Sequence, residues 1–252
     1  MPSPWSIRLE PVFIVLAVAA ALVYVRAWRR APGPWWRAGC FGAGLVLVLG
    51  ALNSPIGTIA IEYLVLFHLL QNVMISDWAP PLLLIGLTPA MRSGLAARGG
   101  AAMEKITRPA ITLSVWLVAW YVIHLGAVYD AAVRSTVLLA IEHAVLIAIG
   151  LLFWWPILCD VPRSLPTIGR IGYVVAAFVL SAPLGLVLAL VPRPLYDFYA
   201  AAPERVWGLS RLEDQQLGGM TMAGEQSIVF FAVFAYWFAC FLAEQERLEE
   251  VA

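Results

Sequence analysis

Long apolar runs separated by short polar stretches form the dominant pattern of this chain. A helix that crosses a hydrocarbon layer about 30 Å thick needs roughly 20 mostly apolar residues. Seven runs meet this requirement, near residues 10–27, 37–53, 62–86, 111–129, 136–156, 171–192 and 214–243. The pattern therefore predicts an all-α fold, a polytopic membrane helix bundle with seven transmembrane helices in one integral membrane domain, residues 1–252.

The amino-acid composition agrees with this prediction. Hydrophobic residues make up 62% of the chain, charged residues only 13%, and the mean hydropathy is +0.84. A water-soluble protein of 252 residues could not bury so much apolar surface, so we expect the lipid bilayer to surround it. The formal net charge is zero, which gives no case for binding nucleic acid.

The positions of the basic residues predict how the spans are oriented. The loops after the first, third and fifth spans and the C-terminal end hold 11 of the 16 Lys and Arg residues. Because basic residues collect in cytoplasmic loops, we predict that the N-terminus lies outside and the C-terminus in the cytoplasm. The long segment 193–213 is then external, and its mixture of Pro, Tyr, Trp and charges predicts an interfacial segment.

The three histidines of the chain all fall inside predicted spans. At 1.5 Å per residue, His68, His124 and His143 each lie roughly 9–11 Å inward from the predicted outer end of a different span. Met220 and Met222 reach a similar depth on the last span. Ionisable groups inside a membrane usually face the bundle interior or a wet cavity, so we expect these side chains to converge in the outer leaflet.

The chemistry of this layer favours copper. Imidazole binds copper, zinc and iron, whereas thioether sulfur selects Cu(I). We therefore predict a Cu(I) site formed by His68, His124 and His143 with Met220 or Met222. Haem held by two axial histidines is the weaker alternative, and histidines that only bond neighbouring helices are a third reading.

Four other polar residues are expected to support this layer or to lie beyond it. Asn72 and Glu225 have nearly equal predicted depths, about 15 and 16 Å, and are predicted to form a hydrogen bond. Asp77 is predicted to approach the inner headgroups as a capping acid or an ion-transit residue. Asp214 is predicted to start the last helix, because acids favour the positive end of the helix dipole.

Three segments carry a resemblance to a known family. They are "FHLLQNVMISDWAPPLLLIGLTP", "IEHAVLIAIGLLFWWPIL" and "PLYDFYAAAPERVWGLSRLEDQQLGGMTM". Together they resemble the multi-spanning CtaG family of bacterial cytochrome c oxidase assembly factors, over about residues 53–243. The resemblance implies a seven-helix protein of the bacterial plasma membrane that helps to mature the copper centre of a haem-copper oxidase, with an oxidase subunit as partner.

The resemblance also identifies one departure. Members of the family carry H-x3-H in the third span, where this chain has His68 followed by Asn72. Positions 68 and 72 share a helix face, so an amide here stands where a second imidazole is expected. His124 and His143 match the other family histidines.

Two alternatives to an assembly factor remain open at this stage. A transporter of copper or another cation would use Glu225, Asn72 and Asp77 as inward steps below the histidines, and a structural or haem-associated membrane protein would use the histidines for packing. No enzyme is predicted, because the chain has no Ser-His-Asp arrangement or phosphate-binding glycine loop. Glu142, next to His143, is expected to point about 100° away around its helix.

Overall fold

The computed structural model describes residues 2–202 and 206–250, and within these ranges the regular structure is entirely helical. The predicted external segment 193–213 is therefore described except for residues 203–205. The described residues form twelve α-helices and one π-helical turn. These are α1 Pro11–Arg30, α2 Trp35–Leu52, α3 Pro55–Glu62, α4 Val65–Val73, the π-helical turn Met74–Trp78, α5 Ala79–Gly86, α6 Pro89–Ile106, α7 Pro109–Ile123, α8 Gly126–Val133, α9 Thr136–Leu158, α10 Thr167–Leu190, α11 Asp197–Ala200 and α12 Arg211–Glu249.

Five of these helices are long and apolar enough to cross a membrane: α1, α2, α9, α10 and α12. Two further spans are bent, so the count reaches seven if each bent pair is one span. The all-helical membrane architecture predicted from the sequence is confirmed at this level, and five predicted spans correspond to straight helices. The seven-span count and the orientation of the termini stay predictions.

The third predicted span is built from three consecutive pieces. α4, the π-helical turn and α5 follow one another without a break from Val65 to Gly86, and the chain then bends by 105° into α6. In the π-helical turn the Ala79 N–H donates to the Met74 carbonyl, five residues back. Turns of this kind occur frequently at functional sites.

The fourth predicted span is broken, so a continuous helix over 111–129 was a wrong expectation. α7 ends at Ile123, the backbone of Leu125 is extended, and α8 leaves at 73° to α7. His124 lies at this break rather than inside a helix. Gly126 permits the break to pack closely, because a Cβ there would lie 2.8 Å from the Leu195 carbonyl oxygen.

Two adjacent glycines bring α12 close to two other helices. A Cβ at Gly218 would lie 2.6 Å from Leu69 Cδ1 on α4, and one at Gly219 would lie 2.4 Å from Ala189 N on α10. Neither distance is possible for a larger residue without movement of the backbone or the neighbour. The glycines therefore set the helix spacing, and α12 stays continuous through "LGGMTMAGE".

Candidate functional site

A buried cluster of polar and aromatic side chains lies where α4, α9, the α7–α8 break and α11 meet. His68, His124, Glu142 and His143 are each at most 6% exposed, and Tyr199 is 3% exposed. Tyr199 comes from the segment that the sequence analysis placed at the membrane surface. Tyr196 and Tyr199 of this segment are buried in the core, a position that composition alone does not indicate.

His68 is held from both sides of its ring. Its Nδ1 lies 2.9 Å from the Tyr199 hydroxyl, and that hydroxyl donates to the Ala60 carbonyl at 2.5 Å. Since the Tyr199 proton is used on Ala60, His68 Nδ1 must be the donor in the other bond. His68 Nε2 lies 3.3 Å from Glu142 Oε1 as an ion-pair contact but makes no hydrogen bond.

His143 is oriented by the segment that precedes α1. Its Nδ1 lies 3.0 Å from Glu10 Oε2, and its ring centroid is 6.2 Å from that of His68. The Glu10 backbone N–H donates to Asn53 Oδ1 at 2.7 Å, which fixes the segment against the end of α2. Glu10 was not expected from the sequence, because no pattern joins residue 10 to a helix more than a hundred residues later.

His124 lies one aromatic ring away from this pair. Its Nδ1 donates to the Trp120 carbonyl, 2.7 Å away, and its own carbonyl accepts from the Tyr196 hydroxyl at 3.3 Å. The Tyr129 ring contacts both neighbours, with centroid distances of 4.7 Å to His68 and 6.0 Å to His124. The three imidazoles therefore share a layer, with His68 and His143 as the close pair.

All three histidines have the same pattern of partners. In each, Nδ1 is held by a hydroxyl, a carboxylate or a carbonyl, and Nε2 is buried without a hydrogen bond among the described residues. For His124 and His143 we assign the proton of the neutral ring to Nδ1, which leaves the lone pair on Nε2, whereas Nε2 of His68 faces the Glu142 carboxylate at 3.3 Å. Histidines that bind metals are commonly oriented in this way.

The two predicted methionines occupy different environments. Met222 is 1% exposed and belongs to the core, whereas Met220 is 54% exposed. They are two residues apart on a continuous helix, so they face different directions. Among residues 2–202 and 206–250, no group of three or more His, Cys, Asp or Glu is spaced to hold a metal ion.

The predicted bond between Asn72 and Glu225 is wrong. Asn72 Nδ2 donates to Glu142 Oε1 at 3.1 Å, and Glu225 Oε1 accepts from Trp78 Nε1 at 2.7 Å. Depth along separate helices did not reveal which faces meet. Glu142 was the residue missed, although its separation of about 100° from His143 lets it contact α4 while His143 contacts Glu10.

Both predicted aspartates are fully buried, Asp77 in the π-helical turn and Asp214 in the first turn of α12, where it was expected. Asp214, also fully buried, accepts from the backbone N–H groups of Val65 at 3.1 Å and Leu66 at 2.9 Å, so it caps α4 from α12. α12 itself begins with a capping box between Ser210 and Glu213.

Comparisons with known proteins place the chain in a family. It is 26% identical, over 235 residues, to the uncharacterized protein Mb0105 of Mycobacterium bovis and to the uncharacterized protein MT0111 of Mycobacterium tuberculosis, matches that cover 82% of this chain and 34% of each relative. The chain thus spans about a third of the length of these relatives. No solved structure matches it. The family described as cytochrome c oxidase caa3 assembly factor (Caa3_CtaG) matches residues 19–244, and the chain belongs to that family.

Proposed function

We propose that this protein supports the assembly of a haem-copper oxidase by binding copper at the buried histidine layer and presenting it to an oxidase subunit. Family membership supports the assembly role. The copper step rests on one observation, which is that three buried imidazoles have their Nδ1 atoms held while no Nε2 atom makes a hydrogen bond among the described residues. Imidazole nitrogens presented in this way are suitable ligands for a soft cation.

His68 and His143 form the centre of the proposed site. Their ring centroids are 6.2 Å apart, both side chains are fully buried, and neither Nε2 has a hydrogen bond among the described residues. The Tyr129 ring contacts both His68 and His124, so in this proposal His124 binds the metal only after that ring moves. Met222 is the methionine of the proposed site, because the exposure of Met220 suits a lipid-facing position.

Glu142 gives the proposed site a place for a proton. Copper binds the unprotonated nitrogen, so a protonated His68 must lose the proton on Nε2 before the metal binds. Glu142 Oε1 lies 3.3 Å from that nitrogen and also accepts from Asn72. Asn72 therefore positions the Glu142 carboxylate. The amide at the family's usual histidine position would then affect copper binding indirectly, by orienting Glu142.

The first test is metal analysis of detergent-purified protein loaded anaerobically with Cu(I). We expect about one tightly bound copper per chain, because imidazole nitrogens and a thioether suit this ion. The double variant His68→Ala and His143→Ala should lose this copper, and Met220→Ala should keep it. Equal copper in the double variant and the wild type would refute the proposed site.

A second measurement separates delivery from transport. Cells that carry the double variant should contain oxidase with less copper and lower activity, while total cellular copper stays at the wild-type level. A change in cellular copper with normal oxidase would instead identify a transporter. Copper-dependent crosslinking of the protein to an oxidase subunit would test the partner directly.

A further inference from the structure

A second polar site lies below the histidine layer on the same span. Asp77 occupies the π-helical turn, is fully buried, and has two carboxyl oxygens without a hydrogen bond among the described residues. Glu225 of α12 reaches the same turn, since its Oε1 accepts from Nε1 of Trp78, the residue after Asp77, and its Oε2 has no hydrogen-bond partner among the described residues. Nine residues separate His68 from Asp77, a distance of roughly 14 Å along a helix.

Ser76 and Trp78, on either side of Asp77, both donate their side-chain hydrogen bonds to other acceptors. The Ser76 hydroxyl donates to the Asn72 carbonyl at 2.7 Å, so its proton is directed away from Asp77. Trp78 Nε1 donates to Glu225 Oε1 at 2.7 Å, which satisfies one oxygen of that acid. Asp77 Oδ1 and Oδ2 and Glu225 Oε2 therefore have no hydrogen-bond partner in the described part of the chain.

Among the described residues, neither acid forms an ion pair with a basic group. The elements packed against the π-helical turn are α2, α4, α5 and α9, and α12 contacts it through Trp78. α10 packs along α12, but its Arg170 pairs with Asp160 and its Tyr173 hydroxyl donates to the Phe153 carbonyl. Arg37 of α2 donates to the carbonyls of Ile85 and Leu87. α5 has no ionisable side chain. The remaining ionisable groups are Cys40 on α2, His68 on α4, Glu142 and His143 on α9, and Arg211, Glu213, Asp214, Tyr236, Cys240, Glu244, Glu246, Arg247 and Glu249 on α12.

We propose that Asp77 and Glu225 form a proton-binding carboxyl pair inside the membrane bundle. Two ionised carboxylates without a counter-charge would carry a large desolvation cost in this environment. A proton bound to the pair removes one charge and supplies a donor for an unpartnered oxygen. Two buried acids at one turn retain such a proton, because the repulsion between two carboxylate charges disfavours ionisation of both.

The proposed pair has a physical role that does not depend on copper binding. Proton-exchanging acids inside a membrane protein commonly mark a pathway for protons or cations. The π-helical turn follows α4 directly and holds Trp78 against Glu225, so the proposed pair lies where this span meets α12.

Infrared spectroscopy of the full-length protein in detergent tests the proposal. The wild type at neutral pH should show a carboxylic-acid C=O stretch that shifts when H2O is replaced by D2O. Asp77→Asn and Glu225→Gln should each reduce or shift this band, because each removes one acid of the pair. Glu246→Gln, which changes an exposed acid near the end of the same helix, should leave the band unchanged.

The test has clear contrary results. A wild-type spectrum with only ionised carboxylate bands would overturn the proposal, as would a protonated band that both Asp77→Asn and Glu225→Gln leave intact. Metal analysis supplies a further arm, since a stoichiometric metal lost in these two variants would show that a metal cation occupies the pair. Circular dichroism establishes that each variant is folded, and either folded variant suffices for the test.

Discussion

The histidine layer and the proposed carboxyl pair are joined by one span, which carries His68 and Asp77, and they differ in how their polar atoms are satisfied. In the histidine layer, each imidazole has one nitrogen held by a specific partner and one left free. In the carboxyl pair, both oxygens of Asp77 lack a hydrogen bond among the described residues. The first region has most of its polar atoms oriented by specific partners, whereas the second has buried acid oxygens without such partners among the described residues.

The packing of the two regions differs in a related way. The histidine layer is assembled from distant segments, since Glu10, Tyr199 and Asp214 each contact the start of α4 or α9 from another part of the chain. The carboxyl pair lies where helix backbones approach closely, as at Gly150 of α9 beside the Ser76 carbonyl. Substitutions can therefore disturb one region while the other stays intact.

The largest expected effect is that of Asp214→Ala. Its carboxylate accepts from two backbone N–H groups at the start of α4. Hydrogen bonds to charged groups contribute about 1.5–3 kcal/mol each, so their loss should lower the free energy of unfolding by roughly 3–5 kcal/mol. Reversible unfolding of the purified protein in mixed micelles measures this loss. Asp214→Asn, which keeps one acceptor oxygen, should lose less, and equal losses would argue against the capping role.

A smaller loss is expected at the π-helical turn from Gly150→Ala. The new Cβ would lie 2.2 Å from the Ser76 carbonyl oxygen, which forces α9 away from the turn. Overpacking of this kind costs about 1–3 kcal/mol. Gly172→Ala on α10 is the matched control, because nothing lies within 4 Å of its Cβ position. In the same unfolding assay the control should be neutral or stabilising, and a loss equal to that of Gly150→Ala would contradict the packing account.

Tyr199→Phe should separate orientation from stability. It removes the hydroxyl that bridges His68 Nδ1 and the Ala60 carbonyl, at a cost of about 1 kcal/mol in unfolding free energy. Loss of such an orienting partner typically lowers metal affinity 10–100-fold, so Cu(I) competition titration should show the larger change. Tyr129→Phe is the control, since its hydroxyl has no partner among the described residues. Equal affinities in both variants would refute an orienting role for Tyr199.

The sequence predicted the helices better than the contacts between them. Apolar run length located α1, α2, α9, α10 and α12, because membrane thickness fixes a minimum span. The same reasoning predicted a layer of three histidines, since the helical rise converts residue number into depth. It did not predict the break at His124, where α7 ends and the extended backbone of Leu125 leads into α8.

Contacts that join distant segments were beyond the sequence pattern. Glu10, Glu142 and Tyr199 each act on a histidine from another element, and depth gives no information on which helix faces are adjacent. Asn72 illustrates the point, because its predicted partner Glu225 has a similar depth but bonds Trp78. The proposed pairing of Asp77 with Glu225 was not expected for the same reason, since the two acids lie on different elements.

The smallest expected effect concerns Cys159, which follows the end of α9 and is fully buried. Burial raises the pKa of its thiol from 9.0 to about 11, although the nearby Arg92 guanidinium acts in the opposite direction. Because a raised pKa keeps the thiol protonated below about pH 11, the reactive thiolate should be roughly a hundredfold less abundant than for a thiol of pKa 9.0.

Alkylation of a variant with Cys40→Ser and Cys240→Ser measures this reactivity for Cys159 alone. The folded protein should react slowly at pH 8, and unfolding in SDS should restore the ordinary rate. Fast alkylation of the folded variant would mean that Cys159 is accessible as a thiolate and able to accept a soft metal. Slow alkylation would show that this thiol is unsuited to binding a soft metal, and so would sharpen the contrast between this buried thiol and the histidine layer.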